Sequence, residues 1–367
     1  MRISEINLKN FRNYQSAKVE LDPLINIFVG KNGAGKTSIL EAIYVLCFSK
    51  SYKAHDQRLI NFNSEFAKIS CIANLDTERI ELSLVIAKNG KKAIKNGFEV
   101  KRLSEFIGNY NVVLFAPEDL ELIKGSPIER RNFIDSEMGQ VSKKYLYNLS
   151  MYKKHLKYRN DLLKQMNEEN KFDKDLLDIA TTNLMAFGKS VKEGRLKFIE
   201  IMNTFLLNRY EKISGKSEKI ELEYVTDEKN ESLEAYQNSY QYDLKTKSTN
   251  IGVHRDDILI KKNGLLAKDY TSQGEARTIC LVIKLALVDF IRAYKKENPI
   301  LLLDDVFSEL DLTRQNELLK SINKETQTII TTTSIKEIDQ TNFKRVKVFE
   351  VCNQEVKEYE YKSIQCQ

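Results

Sequence analysis

From Gly30 to Thr37 the chain reads GKNGAGKT, a spacing that serves one kind of chemistry. Glycines let successive backbone N–H groups wrap phosphate oxygens, and the start of a helix adds positive potential. Lys36 then reaches the β and γ phosphates, and the Thr37 hydroxyl ligates Mg²⁺. Gly30, Lys31, Asn32, Gly33, Ala34 and Gly35 are thus the expected cradle, with ATP and Mg²⁺ as ligands. The bland alternative is an ordinary glycine turn, and the flanks argue against it. Ile25 to Val29 is a nearly continuous apolar run of the kind a central parallel strand requires, and Ser38 to Phe48 is an apolar helical pattern.

A nucleotide site needs a second metal ligand. Pro299 opens an apolar run, Ile300 to Leu303, that ends in Asp304 and Asp305. Asp304 is expected to hold Mg²⁺, directly or through water. Asp305 is the candidate general base for a water attacking the γ phosphate, and so joins Lys36 as an expected catalytic residue. Earlier in the chain, Thr271 to Arg277 reads TSQGEAR and leads into an apolar helix, with Ser272 at its N-cap. The Ser272 hydroxyl and the Gly274 amide form an anion site. An ordinary capped helix accounts for them, and so would a phosphate held by a second subunit.

These groups need strands and helices at both ends of the chain to position them, and the middle reads differently. All four prolines are at 23, 117, 127 and 299, so a long helical middle is allowed. Tyr145, Leu149, Tyr152, Leu156, Leu163 and Met166 recur at helical spacing, as do Leu177, Ala180, Leu184, Phe187, Val191, Phe198, Met202 and Phe205. Two helices back to back are expected, with a turn at Asn167 to Lys171. From 141 to 215 there are 15 Lys or Arg against 9 Asp or Glu, an excess equal to the +6 of the entire 367-residue chain. Lys153, Lys154, Lys157 and Lys164 fall away from the apolar stripe. A solvated helix face explains them, and so does a nucleic acid backbone.

Composition narrows the class further. Hydrophobic residues are 42% and charged residues 30%, which excludes a disordered tail protein and a membrane channel. The most apolar stretch, Ile279 to Ile291, is interrupted by Lys284 and Asp289. Met1 to Phe11 carries Glu5 and Lys9 and lacks the apolar core of a secretory signal. No membrane association and a cytoplasmic location are expected. Five cysteines, far apart and odd in number, fit reduced thiols.

GKNGAGKT, SQGEAR, ILLLDD and the following Ser308, Glu309, Leu310 and Asp311 together resemble the ABC-type ATPase heads of SMC-like DNA maintenance proteins, with Walker A, signature, Walker B and D-loop in that order. LKNFRNY at 8 to 14, LFAPEDLELIKGSPIERR at 114 to 131, IGVHRDD at 251 to 257 and QTIITT at 327 to 332 are similar to the RecF family in particular. The resemblance implies an α/β head from 1 to 125 and 240 to 367, with an inserted helical arm from 126 to 239. It implies that Ser272 and Gly274 of one subunit close on the nucleotide of another in an ATP-dependent homodimer. It further implies binding to single- and double-strand DNA at gaps, and work with RecR and RecO in loading RecA.

Against ABC transporters, Asp305 stands where they carry glutamate, and Thr331 or Thr332 stands near their switch histidine. A shorter acid reaches less far, so slow hydrolysis serving a switch is expected, and the resemblance implies a weak, DNA-stimulated ATPase. A transporter subunit would place its signature nearer the glycine loop. An ATPase-coupled nuclease would need an added acidic cluster, whereas Glu350, Glu355, Glu358 and Glu360 alternate with hydrophobics as on an ordinary strand. His254 to Asp257 reads as a local salt-bridge element, Arg12 as a phosphate contact by analogy, and Lys50, Lys53 and Arg58 as a DNA contact or a solvated loop.

Overall fold

The computed structural model describes residues 1–75, 78–215, 217–226, 232–310, 312–321, 325–335 and 345–359. The chain divides into two compact units, Met1–Asp119 with Leu281–Gln367, and Leu120–Cys280. In chain order the first unit contributes β1 Arg2–Phe11, β2 Tyr14–Glu20, β3 Ile25–Val29, α1 Lys36–Phe48, β4 Phe66–Asn74, β5 Arg79–Ala87, β6 Gly90–Lys95, β7 Phe98–Glu99, α2 Leu103–Phe106 and β8 Val112–Phe115. The second follows with α3 Glu121–Lys124, α4 Pro127–Val141, α5 Lys143–Glu169, α6 Lys174–Ser214, β9 Ile220–Val225, α7 Leu233–Thr246, β10 Asp257–Lys262, β11 Leu265–Leu266 and α8 Ala267–Tyr270. Helix α9, Gln273–Lys295, carries the chain back to the first unit, which ends with β12 Ile300–Asp304, α10 Leu312–Ser321, β13 Thr328–Thr332, β14 Val346–Cys352 and β15 Glu355–Tyr359.

Two sheets build the first unit. One has the order β15-β14-β3-β13-β12-β8, with β3, β13, β12 and β8 parallel. The two apolar runs read as buried strands, β3 and β12, are therefore not neighbours, because β13 lies between them. All five residues of β12 and of β13 are buried, as strands covered on both faces must be. The other sheet is antiparallel, β2-β1-β4-β5-β6-β7, and alternates in and out; Ala67, Ile69, Cys71 and Ala73 of β4 face the core. Helix α1 packs against strands of both sheets, which explains why its apolar residues run all round rather than along one stripe.

The second unit is a helical hairpin with a small sheet. Helices α5 and α6 pack along their length, and the expected stripe is buried at Tyr145, Leu149, Tyr152, Leu163, Met166, Leu177, Leu184, Val191, Phe198 and Met202. Asn170, in the left-handed region at φ 51°, ends α5, and the Asp173 carboxylate caps α6 by accepting from Leu176 N at 3.0 Å. Helix α5 thus runs further than the expected turn at Asn167 allowed. Residues 240 to 280, which the sequence assigns to the head, lie in this second unit. The reason is pairing: β10 is hydrogen-bonded to β9 and β11, and α7 packs on α5 and α6.

Candidate nucleotide-binding site

Strand β3 delivers the chain to the glycine loop at the carboxyl end of the parallel sheet, where open α/β sheets bind ligands. The loop passes so close to its neighbours that two positions admit no side chain. At Gly30 a Cβ would lie 2.3 Å from Val351 O, and at Gly35, with φ 112°, it would lie 2.8 Å from the Tyr14 hydroxyl. Lys36 folds back over the loop, its Nζ donating to the carbonyls of Gly30 at 2.7 Å and Lys31 at 2.9 Å. Burial pushes its ammonium below the usual value, while Asp305 and Asp304 pull the other way.

Thr37, in the first turn of α1, donates to Asp304 Oδ1 at 2.7 Å across 267 residues of sequence. Thr331 on the intervening β13 orders both acids: its hydroxyl donates to Asp304 Oδ1 at 2.9 Å and accepts from Asp305 N at 3.0 Å. Asp304 is 1% exposed. The next residue breaks from the strand at φ 53°, and Asp305 turns into a cavity of about 180 Å³ that Asn32, Gly33, Lys36 and Thr37 also line. Lys36, Thr37, Asp304 and Asp305 therefore meet in one place.

Two further side chains reach Asp304. Tyr52 OH and Lys53 Nζ donate to its Oδ2 at 3.0 and 2.9 Å, and Lys53 also pairs with Glu118 at 3.3 Å. Burial opposes the Lys53 charge, but the two carboxylates outweigh it and raise its pKa. The basic run Lys50, Lys53, Arg58 is thus not one surface. Lys53 turns inward onto Asp304, because the loop after α1 returns over the same sheet edge that β12 reaches. Arg12 is likewise committed. Its guanidinium grips Glu41 through two bonds of 2.7 and 2.6 Å and donates to Arg58 O at 2.9 Å, bracing the β1–β2 hairpin against α1.

The signature segment lies in the second unit. Ser272 and Gly274 are exposed at the start of α9, and Ser272 closes a capping box: its N and Oγ both donate to Glu275 Oε2 at 3.0 Å, and Oγ accepts from Glu275 N at 3.3 Å. Lys262, at 2.7 Å, and then Ser272 hold the Glu275 carboxyl down to about 2. Of the expected D-loop, Ser308 Oγ donates to Asp305 O at 2.8 Å. Asp311 and the Glu309 side chain lie outside the described residues, as do Glu360 and Cys366.

IGVHRDD proves more than a local element. Asp257 takes two bonds of 2.8 Å from Arg130 of α4, and Tyr152 of α5 lies 2.7 Å from His254 Nδ1. His254 Nε2 faces the Thr249 carbonyl at 2.9 Å, which only accepts. Nε2 therefore carries the proton, and Nδ1 accepts from the tyrosine. Burial pushes the histidine pKa down to about 4, so the ring is neutral at pH 7. Lys153, Lys154, Lys157 and Lys164 are exposed on α5. No helix among the described residues is long and apolar enough to cross a membrane, and none of their His, Cys, Asp and Glu side chains form a group of three or more placed to hold a metal.

Residues 2–357 match the RecF/RecN/SMC N terminal domain family. The chain is 39% identical, over 96% of its length and 98% of the relative's, to the DNA replication and repair protein RecF of Latilactobacillus sakei. The chain belongs to the RecF family. RecF of Enterococcus faecalis is 42% identical over 92% of this chain and 94% of its own. A solved structure of the recombination mediator protein RecF with ATP, in the RecFOR pathway, superimposes with a TM-score of 0.88 at 31% identity, covering 98% of this chain and 97% of that one. RecF-family membership agrees with the order of motifs along the sequence, and the α/β head expected from them has the family's fold.

Proposed function

We propose that this chain is an ATP-driven DNA-binding switch of recombinational repair, in which ATP held by one copy is closed over by Ser272 and Gly274 of a second. The convergence of Lys36, Thr37, Asp304 and Asp305 on the glycine loop supports this reading most directly. Thr37 Oγ1 and Asp304 Oδ1 are hard oxygen donors 2.7 Å apart, a pair suited to Mg²⁺. Thr37 and Asp304 would hold that ion, which would offset phosphate charge during transfer. Gly30 to Gly35 would wrap the phosphates, and Lys36 would exchange its two carbonyl partners for phosphate oxygens. Asp305 would accept a proton from the attacking water, and Thr331, a hydroxyl already donating to Asp304, would orient both acids without taking the proton itself. Such a site turns over slowly, so binding performs the work and hydrolysis resets it.

The exposed lysines of α5 are the candidate contact to single- and double-strand DNA. By likeness to the RecFOR mediator, RecR and RecO are the proposed partners, and loading of RecA at gaps the proposed outcome. The test is assembly state, measured by light scattering on the full chain. ATP should produce dimers and ADP should not. Ser272→Arg should remain monomeric while still binding ATP, and Asp305→Asn should bind ATP, dimerise and persist as a dimer. A Ser272→Arg protein that dimerises normally, or an Asp305→Asn protein with wild-type turnover, would remove the shared site or the general base respectively.

A further inference from the structure

The second unit holds a large cavity that is distant in sequence from the glycine loop, and nothing in the preceding reading uses it. It is a cavity of about 1070 Å³ between one face of α6, the end of β9, α7 and the Gly252–Asp257 segment. That volume exceeds what a drug-sized ligand needs. Its wall is mostly apolar, with Met185 and Leu196 from α6 facing Val225 and Val253. Its polar lining carries both signs of charge. Lys189, Lys192 and Arg255 line it, and Glu193 is the one carboxylate on α6 that does so. Asp256 and Asp257 also border it, but both are engaged from behind. Arg130 grips Asp257 bidentately, while the Asp256 carboxylate takes the Tyr224 and Thr226 hydroxyls and its carbonyl takes Arg131.

One side chain in this cavity carries a hydroxyl that the fold does not use. Tyr236 is 3% exposed, and its hydroxyl has no hydrogen-bond partner among the described residues. The ring is buried while the hydroxyl oxygen keeps access to the cavity, where a ligand atom could take the place of water. The ring cannot swing away, because the guanidinium of the fully buried Arg159 lies over its face at 5.5 Å. The hydroxyl is also crowded by the chain at Gly252, where φ is 118° and a Cβ would come within 2.6 Å of it. Any side chain at 252 would block that end of the cavity.

An apolar wall, one fixed hydroxyl and a cluster of cations suit a ligand that is flat and apolar at one end and anionic at the other. We infer that this cavity is a second nucleotide site, independent of the glycine loop, taking a 5′-phosphorylated nucleotide unit either free or as the end of a DNA strand. Arg255 and Lys189 meet the phosphate, the base packs on Met185, Leu196 and Val253, and the Tyr236 hydroxyl donates to a base or sugar oxygen. Arg255 is free to turn, since its contacts are two long bonds to Thr249 O at 3.2 Å and Asn250 Oδ1 at 3.4 Å.

The test uses the full chain carrying Lys36→Ala, which silences the glycine loop. Thymidine 5′-monophosphate, and a thymidine trinucleotide with and without a 5′-phosphate, are titrated by calorimetry. One phosphorylated ligand should bind per chain, and the 5′-hydroxyl trinucleotide should bind about tenfold more weakly, as the loss of one charge-assisted contact implies. Adding Arg255→Ala with Lys189→Ala should cost about tenfold or more. Adding Tyr236→Phe, which removes a hydroxyl bonded to nothing and so spares the fold, should cost a few-fold. Tighter binding of the phosphorylated trinucleotide than of the mononucleotide identifies a strand end, and equal binding a free nucleotide. Absence of saturable binding, binding untouched by these substitutions, or an acidic peptide binding where nucleotides do not would overturn the assignment.

Discussion

The glycine-loop site and the interior of the helical unit both gather charged side chains out of water, and they treat them in opposite ways. Around the loop, Lys36 rests on two carbonyls and Asp304 on hydroxyls and one lysine, contacts that a phosphate or a metal can replace. In the helical unit two buried arginines are closed onto carboxylates. Arg159 and Asp243, both fully buried, pair at 2.9 Å through Nη1, which also donates to the Thr249 hydroxyl at 2.7 Å, while Nε donates to the Thr181 hydroxyl at 2.9 Å. Arg195 and Asp135 share two bonds of 3.0 Å, with Tyr145 donating to the same carboxylate at 2.5 Å. Replaceable partners mark a site that exchanges ligands, and irreplaceable ones mark a scaffold.

The largest expected effects separate these two cases. Asp243→Ala leaves Arg159 charged and buried without its carboxylate and should cost about 3–5 kcal/mol of stability in urea unfolding. A double variant, Arg159→Met with Asp243→Leu, should recover most of that loss, because the desolvation cost disappears with both charges. Lys36→Ala should be its inverse: unfolding changes by less than about 1 kcal/mol, since the lysine meets only carbonyls, while ATP affinity collapses. If Lys36→Ala proves as destabilising as Asp243→Ala, the loop lysine is scaffold and the distinction fails.

The same contrast decides what the sequence discloses. The glycine loop and β12 were legible because their chemistry is contiguous: eight residues specify the cradle, and an apolar run ending in two acids specifies the opposite ligand. Partners supplied by distant segments were not. Nothing local at Lys53 marks it as a partner of Asp304, 251 residues on, and its place in a basic run suggested a surface. Arg159 shows the same failure from the other side. It stands at helical spacing from Tyr152, Leu156, Leu163 and Met166, in line with the apolar stripe, yet hydrophobic periodicity counts arginine as a solvent residue. Its burial depends on Asp243, 84 positions away, and no periodic pattern contains that information. The helical pair was legible by contrast because a stripe is a property of one segment. The 240 boundary was not, because β10 joins the second unit through pairing with β9.

A second effect sharpens the picture of the helical interior. His254 has a pKa of about 4 in the folded chain against an ordinary 6.5, because burial, with the nearby Arg255, Arg131 and Arg159 charges, outweighs the Thr249 carbonyl that favours the charged ring. Between those values the unfolded chain binds a proton that the folded chain refuses, so stability falls as pH drops from about 6.5 towards 4. The full loss corresponds to about 3 kcal/mol. His254→Gln can donate to Thr249 O and accept from Tyr152 without titrating. The decline in melting temperature from pH 7 to pH 5 should be shallower in that variant than in the wild type. Parallel declines would show that His254 accepts the proton in place.

The smallest effect tests whether the outer face of the helical unit is open in the sense that the glycine loop is. Lys153, Lys154 and Lys157 project from α5 with no ion pair among the described residues, whereas exposed lysines elsewhere, such as Lys92 with Glu99 and Lys174 with Asp178, are matched. Phosphate contacts made by such a face are read out by salt, each adding about 0.9 to the slope of log affinity against log salt concentration on duplex DNA. Changing the three lysines to alanine should flatten that slope by up to about 3 and weaken binding alike across sequences, because phosphate contacts carry no base information. Bringing two copies together with ATP should steepen the wild-type slope, since two such faces then meet one duplex. The competing surface is the head, where Lys50 and Arg58 remain exposed now that Lys53 is assigned to Asp304. An unchanged slope for the α5 variant, together with a reduced one for Lys50→Ala with Arg58→Ala, would move the DNA from the helical unit to the head and leave α5 a solvated face.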